Sequence, residues 1–230
     1  MRRSQINIIM KNAVQFFKNQ KFYLPKFAYW SLDEWISKGK EIEGIIKNHL
    51  GWDITDFGSN DFSRMGLILF TIRNGNLEDI KKGSKPYCEK IMIMEEDQIL
   101  PMHYHYNKIE DIINRGGGIL TIKLFNPTKE NTLSGSDVQV FIDGIRKTLQ
   151  AGSVLELEPG ESITLDTNTY HKFQCKQGHG KVLIGEVSTV NDDYVDNQFL
   201  EPIKRFSEIE EDEEPLYLLY DDYNVFFNFD

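Results

Sequence analysis

Pro101-Met102-His103-Tyr104-His105-Tyr106-Asn107-Lys108-Ile109-Glu110, closed by Gly116-Gly117-Gly118, is the stretch on which the reading of this chain turns. Side chains alternate faces along a β-strand, so His103 and His105 project together. Glu110 follows across Asn107-Lys108, a pair that permits a bend returning a carboxylate to the same centre. Two neutral imidazoles and one carboxylate suit a borderline divalent ion such as Mn, Fe, Co, Ni or Zn. The same alternation also describes an ordinary strand with polar residues facing solvent. His171 tilts the balance toward metal. It begins a strand after the turn Asp166-Thr167-Asn168, where a side chain can point into a barrel mouth. The candidate ligands are therefore His103, His105, Glu110 and His171.

Outward from this stretch the chain keeps a short-strand rhythm. Strands are expected at Gly66 to Arg73, Lys90 to Glu95, Gln98 to Tyr106, Ile119 to Phe125, Val138 to Ile142 and Ser153 to Leu157. Ser162 to Leu165, His171 to Gln174 and Val182 to Ser188 continue the series. Asn74-Gly75-Asn76, Asp143-Gly144, Pro159-Gly160 and Gly178-His179-Gly180 separate them as turns. Even spacing without helical pattern between implies an antiparallel β-sandwich or barrel, whose interior can hold a small ligand.

Before the strands, Ser4 to Lys21 carries a helical stripe of apolar residues from Ile6 to Phe17, which Pro25 is expected to end. Ser31 and Glu34 have capping-box spacing for a second helix over 32–38, and Ile42 to Leu50 gives one more short helical face. Asp53 to Ser63 reads as a turn. After the strands, Asn191 to Phe199 reads as a polar loop that could cover the barrel mouth, and Glu208 to Glu214 as a solvated acidic run. The aromatic Tyr217 to Phe229 is expected to add a strand or to cross to another subunit. The organisation expected is a helical segment 1–52 packed outside a barrel core 53–190, with an extension 191–230 in the same domain.

A net charge of −10 leaves no basic stripe to neutralise phosphates, which argues against nucleic acid. No run approaches the roughly 18 apolar residues of a membrane span. Cys88 and Cys175 form no CxxC pair, which fits a reducing cytoplasm.

His103, His105, Glu110 and Gly117 match the first motif of the cupin superfamily, HxH-x4-E-x6-G. The second motif maps to Gly160, Asp166, Asn168, His171 and Cys175, with its proline, second glycine and asparagine replaced. Asp97 stands where the first motif begins with glycine. Asn168 still tolerates a left-handed turn. Over nearly its full length the chain resembles bacterial D-lyxose isomerases, the cupin-type ketol-isomerases. Asp53-Ile54-Thr55-Asp56-Phe57-Gly58, Leu69 to Gly75, Pro86 to Lys90, Pro159 to Leu165 and Gly185-Glu186-Val187-Ser188 carry the likeness, with Asn191-Asp192-Asp193 and Asp196-Asn197.

The resemblance implies a cupin jelly roll that interconverts D-lyxose with D-xylulose and D-mannose with D-fructose. It also implies Mn2+, with Zn2+, Co2+ or Ni2+ able to take the same ligands. Such a reaction needs a base and an acid beside the ion. Lys90, Lys108 and Glu186 are the catalytic candidates. A lysine desolvated beside a metal has a lowered pKa and could act as base, while an acid in a barrel strand is costly unless it is paired or wet. Asp192 and Arg205 are candidates for sugar hydroxyls. A cis-enediol route is favoured, with a hydride shift open. An Fe(II) cupin dioxygenase and a non-catalytic sugar-binding cupin stand as the alternatives. Cupin barrels often pair, so a homodimer is expected.

Overall fold

The computed structural model describes residues 1–227. Three helices come first: α1 (Arg3–Asn19), α2 (Leu32–Lys38) and α3 (Glu43–Lys47). Strands β1 (Gly51–Thr55), β2 (Leu67–Arg73), β3 (Tyr87–Met94), β4 (Ile99–His105) and β5 (Glu110–Gly117) follow. Next are β6 (Leu120–Phe125), β7 (Val138–Ile142), β8 (Ile145–Leu149) and β9 (Val154–Leu157). β10 (Ser162–Leu165), β11 (Tyr170–Cys175), β12 (Val182–Thr189) and β13 (Asn197–Phe199) complete the β part. An eight-stranded sheet, β1-β2-β3-β12-β5-β10-β7-β8, faces a five-stranded one, β13-β4-β11-β6-β9. Every strand pairing within the sheets is antiparallel, the two-sheet jelly roll that the strand rhythm anticipates.

Period-2 alternation gives each strand of the large sheet two different jobs. On β3, Ile91 and Ile93 face outward, where Ile6, Met10, Ala13 and Phe17 of α1 bury against them together with Ile68, Phe70 and Leu183. On the same strand Met92 and Met94 point inward, into a core shared with Ile112, Ile122, Leu124, Phe173 and Ile184. Lys90 keeps the inward parity of Met92 and Met94, as Glu186 keeps that of Val182 and Ile184. The space between the sheets is therefore apolar at one end and polar at the other.

Several segments differ from their sequence expectation, each for a physical reason. α1 ends at Asn19, well before Pro25; Lys21 takes φ +57° and Phe22 N–H donates to Phe17 O at 2.9 Å, closing the helix locally. Gly51–Thr55 is a strand and not part of a turn, because Trp52 and Ile54 pack outward while Asp53 and Thr55 are buried on the other face. β5 reads poorly as a strand because Glu110, Asp111, Asn114 and Arg115 break its apolar pattern. β8 is an exposed edge, and β13 a three-residue pairing inside the polar loop. The Ser31–Glu34 capping box forms as expected.

The acidic run stays solvent-exposed, as expected, but it is tied to α1. Glu211 pairs with buried Arg3 at 2.7 Å, Asp212 accepts from Ser4 N and Oγ, and Glu213 and the Glu214 carbonyl accept from Asn7 Nδ2. It straps the N-terminus of α1, whose first N–H groups have no partner within the helix and favour negative charge. Tyr220 and Tyr223 then turn back against Trp35 and Ile42 as a short helical piece, so this segment neither adds a strand nor leaves the fold. Phe229, the end of that expectation, lies outside the described residues.

Arg3 binds Asp222 as well, at 2.7 Å, and both side chains are buried. Arg3→Ala leaves a buried carboxylate without its cation, so a loss of about 3 kcal/mol in urea unfolding is expected. A loss under about 1 kcal/mol would show that the strap contributes little. No described helix is long and apolar enough to cross a membrane.

Candidate active site

The polar end of the inter-sheet space is a narrow cavity of about 40 Å3. Strand pairing delivers its residues. On the small sheet His171 of β11 is the cross-strand partner of His103 on β4, and His105 lies two residues further along β4. On the large sheet Glu186 of β12 pairs with Lys90 of β3, and Ser188 pairs with Glu110 at the start of β5. The turn Tyr106 to Ile109 carries Lys108 between the sheets. Asn168 adopts φ +60°, and its N–H donates to the His105 carbonyl at 2.8 Å, tying the hairpin before His171 to β4. At the far end of β5, Gly117 has φ +86°, and a Cβ there would lie 2.3 Å from the Lys181 carbonyl.

The imidazoles can serve as ligands. His103 Nδ1 lies 2.8 Å from the Pro101 carbonyl, and His171 Nδ1 lies 2.9 Å from the Thr169 carbonyl. Carbonyls only accept, so both protons are assigned to Nδ1, and both Nε2 atoms present lone pairs. Those two lone pairs face each other at 3.1 Å. His105 Nδ1 meets the Asp196 carbonyl at 3.3 Å, while its Nε2 is buried with no hydrogen-bond partner. Burial pushes His171 down to about 4 and holds His103 well below the usual imidazole range. Neutral imidazole is the form that binds metal.

Glu110 stands beside them. Its Oε1, also buried and without a hydrogen-bond partner, lies 3.2 Å from His171 Nε2 and 3.5 Å from His105 Nε2. Atoms bonded to one ion at about 2.1 Å stand about 3.0 Å apart at right angles and about 3.4 Å apart tetrahedrally. The three histidine ligand atoms also lie within 4.8 Å of one another. Opposed lone pairs and an orphaned carboxylate oxygen, all out of water, are costly unless a cation sits among them. The buried histidine triad can thus hold a metal, and Glu110 fits as its fourth ligand.

Behind the ligands is a network of paired charges. Lys108 Nζ lies 2.8 Å from both Glu110 Oε2 and Glu186 Oε1. Ser188 Oγ donates to Glu186 Oε1 at 3.1 Å. Lys90 Nζ stands 3.7 Å from Glu186 and 3.4 Å from Asp193. Arg205 bridges Asp53 at 2.5 Å and Asp193 at 3.2 Å, and its Nη1 is buried without a partner. Burial alone would lower the Lys108 pKa. Glu110, Glu186 and Asp193 outweigh it and hold the ammonium above its usual range. Burial opposes ionisation of Glu110 and Asp193 too, yet the facing cations keep both well below the usual carboxylate range.

A profile of the D-lyxose isomerase family matches residues 1–223. The chain belongs to the D-lyxose isomerase family. It is 47% identical over 224 residues to the D-lyxose/D-mannose isomerase of Serratia proteamaculans, covering 97% of this chain and 98% of that one. Identity to the protein of the same name from Escherichia coli O157:H7 is 45% over 227 residues, or 98% and 100% of the two chains. Among solved structures, L-ribose isomerase of Cellulomonas parahominis superposes with a TM-score of 0.60, covering 91% of this chain and 98% of that one. At 13% identity that likeness speaks to the fold alone.

Within this member of the D-lyxose isomerase family, the cavity gathers His103, His105, Glu110, His171, Lys90, Lys108, Glu186 and Arg205 from the sequence expectation. Asp192 stands apart. Its Oδ1 accepts from Tyr194 N at 3.0 Å, and it lines a separate groove with His49, Asn74 and Asn76. Asp193, its neighbour, is the loop acid that reaches the cavity. Asp53 was hidden in a stretch read as a turn. Lys108 is held above its usual range by its carboxylate neighbours, which outweigh its burial; the lowered pKa is expected of a lysine beside a bound ion.

Proposed function

We propose that this protein is a metal-dependent aldose–ketose isomerase that converts D-lyxose to D-xylulose and D-mannose to D-fructose in this cavity. The observation that carries the proposal is the buried donor set of three histidines and Glu110 directly beside the Glu186–Lys108 pair. The family relatives with D-lyxose and D-mannose in their names support the substrate assignment. His103, His105, Glu110 and His171 would hold the ion, most simply Mn2+, with Zn2+, Co2+ or Ni2+ compatible with the same atoms. Bound there, a divalent ion supplies Lewis acidity that makes the C2 proton of an aldose removable and stabilises negative charge on the sugar oxygens.

The residues do the rest. Glu186 takes the C2 proton onto its carboxylate, leaving a cis-enediolate with negative charge on O1. The O2 hydroxyl proton passes to O1, and Glu186, whose proton exchanges with solvent, delivers a proton to C1. Lys108 remains protonated between Glu110 and Glu186 and places positive charge beside the oxygens that exchange carbonyl character. Lys90 orients Glu186 and Asp193 from the opposite side. Arg205, with its unpartnered Nη1, donates to a sugar hydroxyl, and Asp193 accepts from another. Phe173, Phe199 and Leu69 line the apolar part of the cavity and limit water around the reacting carbons.

The chain is further read as one domain with the outer helices part of it, as a cytoplasmic protein and as a homodimer. The two free cysteines fit a reducing compartment. The exposed edge strand β8, with Ile145 on it, offers a surface for pairing. The test of activity is protein stripped of metal and then reloaded with Mn2+, assayed with D-lyxose and D-mannose. Ketose is expected from the reloaded protein alone. Stoichiometric metal without ketose from either sugar would favour the oxygenase or the sugar-binding reading.

A further inference from the structure

The turn between β4 and β5 has a difficult task. It must reverse the chain within a few residues and return Lys108 and Glu110 toward His105, leaving its backbone N–H groups without ladder partners. Thr189 Oγ1 accepts from Ile109 N at 3.2 Å, and one residue from a distant loop, Asp196, satisfies the N–H groups of Tyr106, Asn107 and Lys108. Asp196 Oδ1 accepts from Asn107 N at 2.8 Å and from Asn107 Nδ2 at 2.9 Å, and Oδ2 accepts from Lys108 N at 3.1 Å. The Asp196 carbonyl accepts from Tyr106 N at 3.3 Å and faces His105 Nδ1 at the same distance. The carboxylate is buried, with only 4% of the residue exposed. Three residues earlier on the same loop is Asp193, which faces Lys90 and Arg205.

The loop does not depend on this carboxylate for its place. Asn74 binds its start through the Asn191 backbone, and β13 pairs its end to β4, with Gln198 opposite Tyr104 and Phe199 opposite His103. Asp196 adds a clamp on the segment that carries one metal-ligand imidazole and the cavity ammonium.

We propose that Asp196 is a positioning residue: its carboxylate sets Lys108 between Glu110 and Glu186, and its carbonyl fixes the orientation of the His105 ring. This rests on the isomerase reading for its kinetic consequence, but not for its consequence on metal binding. A seated loop and an assembled site are then the same event, because Asp193 and the clamp arrive on one short segment.

Asp196→Asn keeps the volume and one acceptor, and turns an amide donor toward a backbone N–H. Asp196→Ala removes every side-chain acceptor. With Asp196→Asn, kcat is expected to fall about 10-fold while KM and the Mn2+ dissociation constant stay within about 3-fold. With Asp196→Ala, the Mn2+ dissociation constant of the stripped protein, measured by calorimetric titration, is expected to rise about 10-fold, as when the partner of a ligand histidine is loosened. Melting temperatures of both variants serve as the control for folding. A loss of activity that merely tracks the unfolded fraction, or kcat and Mn2+ affinity within 2-fold of wild type in both, would overturn the assignment. If wild type itself makes no ketose, the isomerase reading fails, and the Mn2+ titration of Asp196→Ala still decides the role of Asp196.

Discussion

His171→Ala is expected to lose the divalent ion and the isomerase activity together, by at least about 100-fold in metal affinity and with no turnover above background. His171 is the cross-strand partner of His103, their Nε2 atoms are 3.1 Å apart, and His171 Nε2 is 3.2 Å from Glu110 Oε1. Removing it deletes the atom that stands between the other donors. The fold should survive, because Tyr170 and Phe173 still pack on either side and β11 keeps its ladder to β6. His179→Ala supplies the control: it lies on an exposed turn and should leave metal and activity intact. Metal retained at one ion per chain in His171→Ala would remove this residue from the ligand set.

Glu186→Gln tests the chemistry and not the ion. The amide has the shape of the acid, and the Ser188 hydroxyl can still donate to its oxygen. What it lacks is the ability to take a proton from carbon. A fall in kcat of roughly 100- to 10,000-fold is expected, the span usual for a lost general base, with metal content unchanged. KM should move little if Glu186 acts on the reacting carbon and does not hold the sugar. Activity above about a tenth of wild type would reassign the base, with Asp193 the next carboxylate in the cavity.

Parity made the clustering of His103, His105 and His171 legible in the sequence. Two histidines separated by one residue share a face on any strand, and a histidine opening the strand after a hairpin can meet them across the ladder. Lys90 and Glu186 were legible for the same reason, since a charge on the inward parity of an apolar strand has to face a cavity. Loops offer no such rule. Between Asp192 and Asp193 nothing in the sequence distinguishes the acid that caps a turn from the one that enters the site, because only periodic structure fixes where neighbouring side chains point. Asp53 was obscured by its own polarity in an edge strand of the large sheet, and β5 by the charges that break its apolar pattern. The acidic strap on α1 could not be read because its partners are about 200 residues away in the chain. The direction of the Lys108 pKa needed three distances, since burial and ion pairing push it in opposite senses.

The central claim is that a divalent ion held by these four side chains and a neighbouring carboxylate move a proton between adjacent sugar carbons. It is met most directly by incubating D-lyxose in D2O with the stripped protein and with the protein reloaded with Mn2+. The account predicts D-xylulose only in the reloaded sample, carrying solvent deuterium at C1. Equal ketose formation without the ion would contradict the metal-dependent mechanism, and ketose formed with the ion but free of deuterium would contradict solvent exchange at Glu186 and point to a hydride shift or a shielded proton.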